Sequence, residues 1–315
     1  MTPGVISVIG VVAAAVLGAV INNWWTGRNE ARKAQRDYEY DAKKKLLTEV
    51  QPMLFELSER CDEAFWRIYG IAESEAQGRL DKPCQKRRFR LESGYYLPST
   101  IHRLVSPLVL FRMLETGMAR FDFSLVPEAT AKYRLAKHLY RTWNSGDSLA
   151  SCGEAIEYDH EAKHKGEEGY APVVHSLQHV RLGAVDSLVD LLTVPAGDGT
   201  TRCMRYGEFQ DRYDAMMAET KVKGHPWSSP EVAALHRAVT VFETFSPTTK
   251  PVLWRILMTQ AVLLHWITLD TDPKNEITAH DVVERVRSTF SEAADDKSVD
   301  TGLAAAEAYL SSHLS

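Results

Sequence analysis

Hydrophobic residues are arranged along this chain in two different ways. Near the start they run unbroken over residues 5–21, VISVIGVVAAAVLGAVI, and are followed by Asn22, Asn23, Trp24 and Trp25. No charged side chain lies between Met1 and Trp25. As an α-helix, residues 5–25 would be about 31 Å long, enough to cross a hydrocarbon core of about 30 Å. Further along, apolar residues recur every three or four positions, which leaves each helix one face to bury. The pattern predicts an all-α chain: a single transmembrane helix over 1–25, a charged juxtamembrane helix and basic loop over 26–97, and a multi-helix bundle over 98–315.

The flanks of the span suggest an orientation. Trp24 and Trp25 fall where hydrocarbon would meet headgroups, which suits a ring with an N–H to satisfy. Arg28, Arg32, Lys33 and Arg36 follow, while no basic side chain precedes the span. The positive-inside bias then puts the short N-terminus outside and residues 26–315 in the cytoplasm, as a single-pass protein of the cell membrane. A cleaved signal peptide fits poorly, because the basic residues lie on the wrong side and 21–25 offer no small-residue cleavage site. Gly10, Ala14 and Gly18 share one face at a spacing that lets two such helices approach, so a homo-oligomer through this helix is a possible assembly.

In the remaining chain the stripes mark helices. Leu46, Val50, Leu54, Leu57, Cys61, Phe65, Ile68 and Ala72 form one apolar face, interrupted by Pro52, where a kink or restart is expected. Arg79, Lys82, Lys86, Arg87, Arg88 and Arg90 make a basic run, read as a solvated loop with anionic headgroups as its alternative partner. Further helices are predicted from Pro98 through Leu104, Leu108, Phe111 and Leu114, and from Pro127 through Tyr133, Leu135, Leu139 and Trp143. Another runs over 173–192. A turn-rich loop follows at 195–202, then an extended piece at 203–209 and a short helix at 211–220. Ser229-Pro230 starts a helix buried along Val232, Leu235, Val239 and Phe242. Residues 251–269 are the most apolar part of the body. Arg255, Gln260 and His265 interrupt them, so they read as the central helix of a bundle rather than a second span. Thr278 with Asp281 caps a helix to Phe290, and a weaker one covers 302–314.

Composition narrows the function classes. The 315 residues are 44% hydrophobic and 25% charged, ordinary for a globular body. The net charge of −5 speaks against a nucleic-acid-coating protein, so no nucleic-acid partner is expected. Cys61, Cys84, Cys152 and Cys203 form no C-x-x-C pair and read as free thiols.

Candidate chemistry is sparse. His160-Glu161-Ala162-Lys163-His164 is a literal H-E-x-x-H, which resembles the zinc metalloproteases over these five residues. That resemblance implies His160 and His164 as zinc ligands and Glu161 as general base. The flanks, Glu157, Asp159, Lys165, Glu167 and Glu168, are charged where that family's metal helix is largely apolar, and a solvated polar helix is the expectation. His175 and His179 make a second i, i+4 pair that would complete a four-histidine site if the two helices packed face to face. Glu157 and His160 match one E-x-x-H unit of a di-iron bundle, which needs two. The loop 270–281 resembles an EF-hand at Asp270, Asp272 and Ile277, with Asp281 in place of the final glutamate. Lys274 and Asn275 break that pattern, and a capped helix start accounts for it better. No catalytic residue, metal ligand or cofactor is therefore assigned.

The functional expectation is a protein that acts by binding: a scaffold, adaptor or regulatory subunit at the inner membrane face. Its partners would be the lipid bilayer and a membrane-associated protein. The alternatives are a tethered metal-dependent hydrolase using residues 160–164, and an effector that takes a small ligand near Arg255 and His265.

Overall fold

A computed structural model describes residues 3–78, 95–118, 125–143, 178–197, 199–223, 229–242, 245–269 and 277–314, with side chains from Asn22 onward. The described residues form nine helices and one two-stranded hairpin: α1 (Pro3–Ala76), α2 (Tyr96–Met118), α3 (Pro127–Thr142), α4 (Leu182–Leu192), β1 (Thr193–Pro195), β2 (Thr201–Cys203), α5 (Tyr206–Lys223), α6 (Pro230–Phe242), α7 (Pro251–Thr268), α8 (Ala279–Phe290) and α9 (Asp296–His313). The all-α architecture is the one the hydrophobic stripes predict.

Two helices organise the packing. α7 is buried along nearly its whole length and lies against α9, α1, α3 and α8. α2 lies against α1, α4, α3 and α5. The C-terminal part of α1 and the whole of α3 touch both, so a single core runs from Leu46 to Leu310. The stripe Leu46, Val50, Leu57, Cys61, Phe65, Ile68 and Ala72 is buried in this core. That burial is why the charged helix of residues 26–45 and the bundle are parts of one continuous element.

No helix among the described residues is long and apolar enough to cross a membrane. This holds for α7, where Arg255, Gln260 and His265 dilute the apolar run. The predicted span rests on side chains 5–21, which lie outside the described ones, as do Gly10, Ala14 and Gly18. Their backbone belongs to α1.

Several boundaries differ from expectation, each for a local reason. Pro52 neither ends nor restarts α1. Proline cannot donate to the carbonyl of Thr48, but both residues are on the exposed face, where water can satisfy that oxygen. α1 stops instead at Gly78, whose φ of 59° is the left-handed geometry a helix C-terminus favours. Gln178–Arg181 are not helical, because tertiary contacts use them. The Gln178 side-chain carbonyl accepts the first-turn N–H of Val252 at 2.9 Å, and Arg237 donates to the His179 carbonyl at 3.2 Å. The extended piece is shorter than predicted and α5 starts at Tyr206. The Glu208 carboxylate there accepts the Arg205 N–H at 2.8 Å and a two-pronged contact from Arg202 at 2.7 and 2.8 Å. α9 begins at Asp296 because Asp295 caps it, accepting from the N–H groups of Lys297 and Ser298. The turn between β1 and β2 needs Gly199, at φ 83°.

Candidate functional site

The metal-like motifs fall mostly beyond view. His160, Glu161, His164 and His175 lie outside the described residues, as do the basic run 79–90, Cys84, Cys152, Asp270, Asp272, Lys274 and Asn275. Of the second histidine pair only His179 is described, and it is buried. Among the described residues no group of three or more His, Cys, Asp or Glu is placed to hold a metal ion. Asp281 acts as a cap: it accepts the Thr278 N–H at 2.9 Å and hydroxyl at 2.7 Å, while the Thr278 oxygen accepts the Asp281 N–H. Cys61 and Cys203 are free and buried, and burial pushes both thiols upward, away from the reactive thiolate.

Arg255 and His265 do not converge. Ten residues apart on α7, they are separated by about 15 Å of helix rise. His265 packs over the Phe65 ring, with centroids 5.2 Å apart. Burial, then Arg285, lower its pKa against the opposing pull of Asp62, so it is neutral near pH 7. A half-open cavity of the bundle lies elsewhere, among Leu104, Leu108, Trp143, Val180, Leu188 and Phe242. Its volume of about 20 Å³ is little more than one water, and its walls are apolar. A small organic ligand does not fit it.

What the described residues offer is surface, carried mainly by α1. From Asn22 to Lys45 this helix is exposed on nearly every side, a length of about 36 Å. Trp24 and Trp25 are each 59% exposed at its start, and the Arg28 guanidinium sits 5.1 Å from the Trp24 ring centre. Tyr38 and Tyr40 are exposed further along, and Tyr40, Lys43, Lys44 and Leu47 border an open depression.

A second, polar arrangement lies where α1 meets α2. Glu56, Arg60, Glu63 and Arg67 follow one another at three- and four-residue spacing on α1. Arg60 is neutralised by Glu63 at 3.1 Å and Glu56 at 3.8 Å. Among the described residues Arg67 has no such partner. It is only 6% exposed, its Nε is buried without a hydrogen bond, and its guanidinium carbon stands 4.5 Å from the ring centre of Tyr96. Burial lowers its pKa, the Tyr96 hydroxyl opposes that, and Arg103 of α2 is near enough to lower it further. Beside them the His102 Nε2 is bonded to the Met204 carbonyl at 2.8 Å, and the Tyr206 hydroxyl donates to the Tyr95 carbonyl at 3.2 Å and to Gln210 at 2.6 Å. Periodicity and motif spacing along the chain do not reveal this seam. Its signal is an arginine at the edge of a buried stripe, between Ala64 and Ile71.

Against family models, curated proteins and solved structures, the chain matches none.

Proposed function

We propose that the protein is anchored in the cell membrane by residues 5–21 and acts by binding, as a scaffold, adaptor or regulatory subunit whose helical body is displayed at the inner face. The observation that carries this reading is the continuity of α1. One helix includes the charge-free stretch, the exposed segment Asn22–Lys45 and the buried stripe from Leu46 to Ala72. A helix that leaves a bundle and stays solvated for about 36 Å adds nothing to the core. It makes physical sense as a spacer that holds the body at a set distance and orientation. Arg28, Arg32, Lys33 and Arg36, directly after Trp24 and Trp25, support a cytoplasmic side for the spacer.

The mechanism is recruitment by tethering. Confining the body near a surface raises its effective concentration toward partners confined there too, so weak contacts become productive. The partner is a membrane-associated protein, and a second copy can join through the Gly10, Ala14 and Gly18 face.

Co-purification from membranes in mild detergent tests this. The expected result is a stoichiometric protein partner that full-length protein retains and a version lacking residues 1–25 loses. Isolation of the full-length protein alone, with stoichiometric zinc that disappears on His160→Ala, would replace this reading with a tethered hydrolase.

A further inference from the structure

Where α1 enters the bundle it carries two apolar rows rather than one. Leu46, Val50 and Leu57 are buried in the core. Tyr40, Leu47 and Phe55 form a second row at seven- and eight-residue spacing, and they are 69%, 37% and 69% exposed. One apolar face is enough to join a core, so the second row is surplus to folding. Exposed apolar residues scattered singly are ordinary, but three in line along about 22 Å of one helix mark a surface that meets something.

The relief of this face suits a second helix. Tyr40, Lys43, Lys44, Leu47, Thr48 and Gln51 line an open depression of about 580 Å³. These positions make two adjoining diamonds, residues 40, 43, 44 and 47 and residues 44, 47, 48 and 51. Each has the four-residue outline of a hole that receives a side-chain knob when helices pair. The depression is also cationic. Asp41 and Glu49 lie on the same helix, yet among the described residues no acidic oxygen is within ion-pairing distance of Lys43 or Lys44. A complementary occupant brings apolar side chains for the holes and carboxylates for the lysines.

We propose that Tyr40, Leu47 and Phe55, with Lys43 and Lys44, form the docking face for an acidic amphipathic helix of a partner protein. Leucine or aromatic side chains of that helix fill the two holes and pack on the exposed row, and its carboxylates reach the two lysines. This gives the chemistry of the membrane-associated partner, and it rests on the anchored reading where it excludes two other occupants. A second copy in the same bilayer runs parallel and sets Lys43 and Lys44 against their own counterparts, a like-charge arrangement that opposes pairing on this face. Lipid headgroups do not reach it, because Tyr40 lies 15 residues beyond Trp25, about 22 Å along α1.

Fluorescence anisotropy with the full-length protein in neutral detergent micelles tests the face, with empty micelles as the baseline. The probes are labelled peptides about three heptads long with leucine at a and d. One has glutamate at e and g, the second has lysine there, and the third is the glutamate peptide in scrambled order. The glutamate peptide should bind at least about tenfold tighter than either of the others. The double variant Lys43→Glu/Lys44→Glu should reverse the preference between glutamate and lysine peptides, and Leu47→Asp should weaken the glutamate peptide about tenfold. All three side chains are exposed, so the fold tolerates these changes. Equal binding of the glutamate and lysine peptides, or a preference that survives the charge reversal, overturns the proposal. So does the absence of binding by any peptide, as when the chain's own residues cover the row. A dimer that dissociates in step with peptide binding would assign the face to a second copy and overturn the partner helix. Membrane pelleting judges the anchor separately: protein that pellets without binding the glutamate peptide keeps the anchor and loses this face, and the reverse result keeps the face and loses the anchor.

Discussion

At the scale of single residues, Gly302 has the closest surroundings among the described glycines. A Cβ at this position would stand 2.5 Å from Met258 Cγ, 3.0 Å from Met258 Cβ and 3.1 Å from Trp254 Nε1. Trp254 cannot give way freely, because it is buried and donates to the Ser298 carbonyl at 2.7 Å. Alanine would gain about 1 kcal/mol in helix propensity, but overpacking costs about 1–3 kcal/mol. Gly302→Ala should therefore be mildly destabilising and Gly302→Val should lose about 2 kcal/mol or more, read as a lower urea midpoint with an unchanged slope. Glu208 makes a pH prediction. The Arg202 fork, then the Arg205 N–H, hold its carboxyl near about 2 against an ordinary 4.5. A depressed carboxyl stabilises the folded state above the ordinary value and loses that effect as pH falls through the folded one. The urea midpoint of the wild type should fall between pH 4.5 and 2.5 more steeply than that of Glu208→Gln.

Single helices show what a sequence reveals and what it hides. The stripes of α1, α2, α6 and α7 were legible because one helix face is wholly buried, as at Leu104, Leu108 and Leu114, or at Val232, Leu235 and Val239. The Thr278–Asp281 box and the Ser229 cap were legible because both are local chemistry. The start of α4 was hidden, since Gln178 and His179 are held by α7 and α6, which follow much later in the chain. The Arg67 seam was hidden for the same reason: Tyr96, Arg103 and Tyr206 come together only when α1, α2 and α5 have folded. The exposed part of α1 carries its own prediction. Among the described residues nothing packs over Asn22–Asp41, so in detergent their backbone amides should exchange with deuterium faster than those of Leu57–Ala72 by at least about a hundredfold. Equal protection would mean that a partner or second copy covers the spacer.

For the whole molecule, one helix carries three stretches in succession: a charge-free run, an exposed segment and a buried stripe on which α2 and α7 assemble, which the proposed reading takes as anchor, spacer and docking edge. This arrangement ties the position of the body to the start of the chain. The account is tested most directly by fractionating cells that make full-length protein and washing the membranes with alkaline carbonate. We expect the protein to stay in the membrane pellet and to leave it only with detergent, while a version lacking residues 1–25 remains in the supernatant. Full-length protein released by carbonate, or found in the supernatant from the start, would contradict it.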